Sequence, residues 1–321
     1  MIRVLQAGLQ TTLQDQGRTG YASLGIARCG ALDSNALSVA NFLAGNSRLE
    51  AAIEIAIGPF EISCDTPTML GISGEGFALS ITTKNTPATT IYSNRSLELK
   101  PEDKLLVKHT ANSGRLYIAV AGGFDIPPIF GSTATDLYGG FGGYRGRSLQ
   151  QGDQLPCKMP KNQSDQARFL RIAKPTFKVR AIQGPEYALL SEASKQQLWN
   201  TQWQIASNSN RMAARLRAEP LHFVNNASAE LLSHAVLPGI VQLPTDGLPI
   251  VLLADAQTTG GYPRIASVIE ADLWQFAQMP VGSFFSFIQS NPIEARHAQQ
   301  QRNQKIKQLE TALNNVRAHQ Q

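Results

Sequence analysis

A mostly β fold is what this 321-residue sequence predicts, on three observations. Short apolar or alternating runs recur between residues 52 and 120, separated by Gly, Pro and Asn/Asp turn residues. The 26 glycines and 17 prolines suit tight turns better than long helices. Helical periodicity is confined to a few stretches. Many short strands at nearly regular intervals mean a barrel or a sandwich, not a doubly wound sheet.

Residues 1–5 read as a first strand. Residues 11–20, TTLQDQGRTG, follow as a polar loop that gathers Gln14, Asp15 and Arg18 around Gly17. Such a loop either aims a carboxylate and a guanidinium at one ligand or closes on an internal Asp15–Arg18 pair. Spacing predicts a helix over 31–44, capped by Asp33 or Ser34 and stopped by Gly45 and Asn46. Leu37, Ala40, Asn41 and Ala44 share its face, where Asn41 is expected to satisfy a neighbouring loop. Strand patterns then fill 52–57, 61–64, 68–73, 78–82, 89–92, 96–99, 104–107 and 116–120. Glu54 interrupts the first of these, and a buried carboxylate requires a partner unless its face is solvated.

Residues 121–152 hold glycine pairs at 122–123, 139–140 and 142–143, with Asp125, Asp136, Arg145 and Arg147 among them. No GK[ST] follows, so this is not a phosphate-binding P-loop. It reads either as scaffold or as a loop that wraps a ligand or partner. The polar stretch 158–173 marks a domain boundary and divides the chain into 1–157, 170–292 and a helical extension 293–321.

The second half predicts strands at 177–182 and 203–207 around a short helix at 192–199. Residues 208–218 follow with Asn210, Arg211, Arg215 and Arg217; if this segment is helical, Arg211 and Arg215 share a face. Further strands are expected at 221–223, 236–242 and 250–254, with Gln242 ending one and Asp246 at the tip of a PTDG turn. The apolar run 249–255, ending at Asp255, leads into a glycine turn carrying Thr259, Gly260, Gly261 and Tyr262, a strand–loop–strand unit of the kind that carries binding chemistry. A last strand falls at 282–289. From 293 the chain is rich in Gln, Ala, Arg and Lys, with Ile306, Leu309, Leu313 and Val316 as a narrow apolar stripe.

Composition narrows the function classes. A net charge of +5, without a basic stripe interleaved with aromatics, argues against nucleic-acid binding. Cys29, Cys64 and Cys157 form no CxxC pair and no zinc spacing, which fits free thiols in a reducing compartment. No secretory leader pattern and no run of eighteen apolar residues is seen, so the expected location is cytoplasmic with no membrane contact. HExxH, GxSxG and GxGxxG in a βαβ context are missing. Chemistry is therefore expected from carboxylates, arginines, amides and backbone N–H groups, a kit for holding a carboxylate or an oxyanion. No metal site is expected.

Taken together, QDQGRTG at 14–20, GALD at 30–33, AVAGG at 119–123, GSTATD at 131–136, GFGGYRG at 140–146, SNRM at 209–212, QLP at 242–244, GLPI at 247–250, Asp255, TTGGYP at 258–263 and Asp272 resemble the biotin-dependent carboxyltransferase/allophanate hydrolase subunit 2 family. Its members include the C subunit of 5-oxoprolinase, together with KipA-like proteins. The resemblance runs from about residue 1 to about residue 290. It implies two cyclophilin-like β-barrel domains with few short helices and a C-terminal helix. It also implies the C subunit of an ATP-dependent 5-oxoprolinase, turning 5-oxo-L-proline into L-glutamate. The implied partners are a B-subunit homologue (allophanate hydrolase subunit 1, KipI-like) and a LamB/YcsF-like A-subunit, with ATP as co-substrate of the complex. The other readings are a carboxyltransferase-type component acting on urea or another small amide with carboxybiotin, and a KipA-like regulatory binding protein. Asp15, Arg18, Arg211, Arg215 and Asp255 are the catalytic candidates. Gln14, Asp33, Asn41, Glu54, Arg145, Asn210, Gln242, Asp246, Thr259, Gly260, Gly261 and Tyr262 are candidates for substrate or partner loops. Alanine at Arg211 is expected to lower activity and leave the fold intact. One departure stands out: Ala213 and Ala214 follow Met212 where the family pattern has a glycine.

Overall fold

The computed structural model describes residues 1–84, 86–160, 168–170, 174–224 and 231–318, with side chains through residue 312. Most of the predicted boundary at 158–173, and the side chains of Leu313 and Val316, lie outside the described residues. The chain separates into two compact units: Met1–Arg18, Cys29–Lys174 and the chain from Ile306, and Thr19–Arg28 with Pro175–Lys305.

The first unit contains two open antiparallel sheets. Its strands are β1 (Ile2–Gln6), β2 (Thr12–Gln14), β3 (Ala52–Ile55), β4 (Phe60–Cys64), β5 (Thr68–Gly74) and β6 (Ala78–Thr82). They continue as β7 (Thr89–Ile91), β8 (Arg95–Leu99), β9 (Lys104–Lys108), β10 (Leu116–Val120) and β11 (Gln154–Leu155). One sheet runs β11-β1-β4-β9-β6-β7 and the other β2-β3-β10-β5-β8. Ile2, Val4, Ile62, Leu105 and Val107 from the first meet Leu13, Ile53, Leu70, Ile72 and Ile118 from the second in one apolar core.

Strand β10 is LYIAV and buried throughout. Its two parities separate: Leu116, Ile118 and Val120 enter the inter-sheet core, while Tyr117 and Ala119 pack with helix α1 (Ser34–Ala44) through Ala36, Leu37, Ala40 and Ala44. A strand buried on both faces reads as a continuous apolar run for this reason. Asp33 caps α1 by accepting from the Asn35 and Ala36 N–H groups, both at 2.9 Å, and Gly45 ends it in the left-handed region. The helix thus starts three residues later than its periodicity predicts.

The second unit holds the closed barrel. Its strands are β12 (Lys178–Gln183), β13 (Gln202–Ile205), β14 (Ala213–Arg217), β15 (His234–Ala235), β16 (Ile240–Gln242), β17 (Ile250–Leu252), β18 (Thr259–Gly260), β19 (Arg264–Val268) and β20 (Phe284–Gln289). Seven of them close in the order β12-β19-β16-β17-β14-β13-β20, and β15 with β18 forms a separate two-stranded sheet. Closure is made by the parallel pair β12 and β20, Val179 opposite Phe287. Helices α2 (Glu192–Asn200), α3 (Trp274–Gln278) and α4 (Pro292–Ala318) are the other α-helices among the described residues, beside two short 3-10 turns at Ala22–Leu24 and Tyr187–Leu189.

Two expectations are corrected here. The architecture is one seven-stranded barrel plus open sheets, not two cyclophilin-like barrels. Strand patterns report how many strands there are; whether the outermost pair up is a long-range matter. In the first unit the sheets end on strands of two to five residues that do not meet, and the shared core is already filled. The segment 208–218 is also not helical. Ala213–Arg217 is a strand with Ala214 and Leu216 buried and Arg215 and Arg217 exposed, so Arg211 and Arg215 do not share a helical face. Among the described residues no helix is long and apolar enough to cross a membrane.

Candidate functional site

In the first unit, two loops that are remote in sequence are stitched together at the end of β2. Gln14, fully buried, donates from Nε2 to Thr12 Oγ1 at 3.0 Å and Thr135 O at 3.2 Å, and its Oε1 accepts from the Gly30 N–H at 3.1 Å. Asp15 accepts from the Gly17 N–H at 2.8 Å, from Ser132 Oγ at 2.6 Å and from the Thr133 N–H at 2.6 Å. That carboxylate is therefore filled by its own loop and by residues 132–133. It forms no ion pair with Arg18.

Arg18 is 3% exposed. Its Nη2 donates to Ala134 O at 2.6 Å, and the guanidinium carbon stands 4.8 Å from the centre of the Phe141 ring. Nε and Nη1 are buried and have no hydrogen-bond partner. The loop that receives it is wound through left-handed conformations at Gly140, Gly142, Gly143, Arg145 and Gly146. At Gly142 a Cβ would lie 2.9 Å from Arg18 Nη2 and would collide with Ala134 O, so only glycine lets the loop approach the guanidinium. Arg145 is exposed, with its guanidinium 5.1 Å from the Tyr144 ring, while Arg147 is fastened to Asp153 by two bonds of 2.8 Å. Burial works to raise the Asp153 carboxyl, and the Arg147 and Gln150 hydrogen bonds overcome it and hold the carboxyl low.

The other first-unit candidates occupy structural positions. Glu54, fully buried, accepts from Tyr117 Oη at 2.7 Å and from the Leu32 N–H at 3.0 Å; the Asp33 N–H donates to the same phenol oxygen at 2.8 Å. Burial first, then the charges of Glu54 and Asp33, raise the Tyr117 phenol well above its usual value. Asn41 donates to Glu50 O at 2.7 Å and accepts from Asn46 Nδ2 at 3.0 Å. Asp33 is the cap of α1.

In the second unit, Arg211 and Asp255 form a bidentate buried pair, Nε to Oδ2 at 2.8 Å and Nη2 to Oδ1 at 2.7 Å. The Asp255 N–H bonds back to Arg211 O at 3.1 Å, which closes a local unit. Asn210 Oδ1 accepts from the Met212 and Ala213 N–H groups and turns the chain into β14. Arg215 is exposed on that strand, and exposed Asp246 accepts from the Leu248 N–H at 3.0 Å. Thr259 and Gly260 pair with His234 and Ala235, and Gly261 O accepts from the Leu231 N–H at 2.7 Å. Tyr262 is 39% exposed. Gln242 is buried with Nε2 unpartnered, and a Cβ on Gly260 would stand 2.7 Å from that nitrogen.

Some participants were not nominated by sequence. Ala134 and Phe141 meet Arg18 while Ser132 and Thr133 hold Asp15; they stand in the GSTATD and GFGGYRG motifs, which do not tell which side chain meets which. Glu186 and Arg264 form a bidentate pair, with Nε to Oε2 at 2.9 Å and Nη2 to Oε1 at 2.7 Å, and nothing in their local sequence marks it. Among the described residues no group of three or more His, Cys, Asp or Glu is placed to hold a metal ion.

This chain belongs to the carboxyltransferase-domain family, subdomains A and B, whose model matches residues 24–289. Within that enzyme family it is a homologue of the C subunit of 5-oxoprolinase. It is 41% identical over 315 residues to the 5-oxoprolinase C subunit of Escherichia coli (strain K12), covering 98% of this chain and 99% of that protein. The Haemophilus influenzae protein of the same name is 36% identical over 290 residues, covering 89% of this chain and 90% of that one. The crystal structure of the Kluyveromyces lactis urea carboxylase matches with a TM-score of 0.84 at 27% identity, covering 96% of this chain and 29% of that chain. The crystal structure of TTHA0988 matches with a TM-score of 0.77 at 27% identity, and there the match spans 55% of that chain and 89% of this one.

Proposed function

We propose that this chain is the C component of an ATP-dependent 5-oxoprolinase, which opens the lactam of 5-oxo-L-proline to L-glutamate. The observation that carries this is the end-to-end similarity to the C subunit of 5-oxoprolinase, 41% over 98% of this chain and 99% of that protein. A carboxyltransferase acting on urea has weaker support, since the urea carboxylase match is 27% identical and covers 29% of that longer chain. The name of the 5-oxoprolinase relative marks it as one component of a multi-subunit enzyme. The components proposed beside this chain are a B-subunit homologue of the allophanate hydrolase subunit 1 (KipI-like) type and a LamB/YcsF-like A-subunit. A cytoplasmic location goes with this reading.

Family membership implies an ATP-dependent mechanism, and the described residues do not fit a triphosphate. The first N–H groups of α1 are taken by Asp33, and an N–H at the start of α2 by Ser191. Arg18 is the one residue among those described with two buried unpartnered cationic nitrogens, and a lone guanidinium does not balance a triphosphate. The ATP site is accordingly assigned to the partners or to their interface with this chain, and biotin belongs only to the urea reading.

Of the nominated residues, Arg18 is the proposed anion-holding group and Asp15 the residue that positions its loop. Arg211 and Asp255 support the 210–213 turn, and Arg215, Asp246 and Tyr262 are proposed partner-facing groups. The test is co-purification with the B-subunit homologue, then assay of the complex with and without the third component for ATP-dependent glutamate release. Release that needs all components supports the reading. No release by the full complex overturns it, and full activity of the isolated chain overturns the requirement for partners.

A further inference from the structure

Arg18 has a full positive charge, 3% exposure and a single protein hydrogen bond, from Nη2 to Ala134 O. Its unpartnered Nε and Nη1 carry three N–H bonds between them. A guanidinium does not deprotonate in a protein, so it cannot relieve this burial by losing its charge. Buried donors of this kind are normally satisfied. Neither Asp15, held by Gly17, Ser132 and Thr133, nor Asp136, whose Oδ1 accepts from the Tyr138 and Gly139 N–H groups at 3.1 and 2.8 Å, bonds to Arg18.

We infer that Arg18 is the floor of a binding site for a planar carboxylate. Resting on the function proposed above, that carboxylate is the one carried by 5-oxo-L-proline and retained in glutamate. Charge argues for a monoanion. Asp153 is paired with Arg147 and Asp15 is held by Gly17, Ser132 and Thr133, so neither neutralises Arg18. One added negative charge is matched by the desolvated guanidinium, whereas a phosphate dianion brings a second, unmatched one. Charge also argues against a lone amide oxygen, since a neutral acceptor leaves the buried guanidinium uncompensated while a carboxylate neutralises it. The Phe141 ring centre stands 4.8 Å from the guanidinium carbon.

The test uses the full-length chain labelled with nitrogen-15. Arginine Nε–H correlations are recorded during titration with acetate, 5-oxo-L-proline, 2-pyrrolidinone and inorganic phosphate, and the Arg18 signal is assigned by its loss in Arg18→Lys. The expected result is a saturable shift of that signal with acetate and 5-oxo-L-proline, and none with 2-pyrrolidinone or phosphate. An Arg18 signal unmoved by both carboxylates overturns the inference, as does an equal response to 2-pyrrolidinone or phosphate. If Arg18→Lys does not fold, thermal melting of the unsubstituted chain decides instead. A saturable rise in Tm with the two carboxylates alone supports the site, and no rise, or equal rises with all four compounds, overturns it. The two readings fail separately. A complex that releases glutamate while Arg18 ignores carboxylates sinks only the site; carboxylate binding beside an inactive complex sinks only the function.

Discussion

Arg211 and Asp255, 44 residues apart in sequence, meet as a fully formed fork, Nε to Oδ2 at 2.8 Å and Nη2 to Oδ1 at 2.7 Å, with 2% and 8% of their surfaces exposed. Breaking one partner of such a pair leaves a buried charge uncompensated. Arg211→Ala or Asp255→Ala is therefore expected to destabilise the chain by about 3–5 kcal/mol, measured by urea unfolding. This replaces the sequence-based expectation that alanine at Arg211 spares the fold. An Arg211→Ala chain with an unchanged unfolding midpoint would return Arg211 to the ligand-facing group.

Tyr117 holds Glu54 and the Asp33 N–H together through one oxygen. Tyr117→Phe keeps the ring and removes that oxygen, so Glu54 Oε2 loses one of its buried donors and the Asp33 N–H loses the phenol. A loss of about 1–3 kcal/mol is expected. The phenol's folded value is raised by burial and by Glu54, so its contribution to stability is complete below the ordinary tyrosine value and is lost as pH rises toward the folded one. Tyr117→Phe should flatten the alkaline limb of stability against pH; a parallel displacement of the whole curve would contradict this.

Glu186 and Arg264 make the opposite prediction. The Arg264 side-chain hydrogen bonds hold the Glu186 carboxyl below its usual range against a smaller effect of burial. A depressed carboxyl contributes stability above its unfolded value, and that contribution disappears as pH falls through the folded one. Arg264→Met should shrink the loss of stability between neutral and acid pH, read from Tm at a series of pH values. An acid limb as steep as that of the unsubstituted chain would rule the pair out as its source.

Gly71 on β5 faces α1, where a Cβ would collide with Ala40 O and stand 2.5 Å from Ala44 N. Both obstacles are helix backbone, so neither can swing aside. Gly71→Ala is expected to cost about 1–3 kcal/mol by forcing the helix off the sheet. Thermal melting checks it, and a Tm within a degree of the parent would show that α1 shifts freely.

Much of the local structure is written in consecutive residues. Asp33, the apolar periodicity of α1 and Gly45 mark a helix, and the alternation in 264–268 marks a strand, because these patterns arise from neighbours along the chain. The Asp15–Gly17 turn was legible as a polar glycine loop. That Asp15 would take Ser132 and Thr133, rather than Arg18, was not, since both answers satisfy the same residues. Glu54 announced its need for a partner, yet Tyr117 sits inside an unbroken apolar run that gives no hint of the role.

By itself the sequence determined the strand-rich class, the capped helix α1, the terminal helix and, through its ordered motifs, the family. Only the tertiary structure decided that one half closes into a barrel and the other stays open, because closure depends on whether β12 and β20, about a hundred residues apart, meet edge to edge. The same long-range pairing sorted the charged candidates. Arg211 is bound to Asp255, Arg215 stands on an exposed strand face, and Arg18 alone of the three keeps two buried nitrogens without a partner. Charge and spacing along a chain cannot rank those three, since a guanidinium's availability depends on what the fold brings within about 3 Å of it.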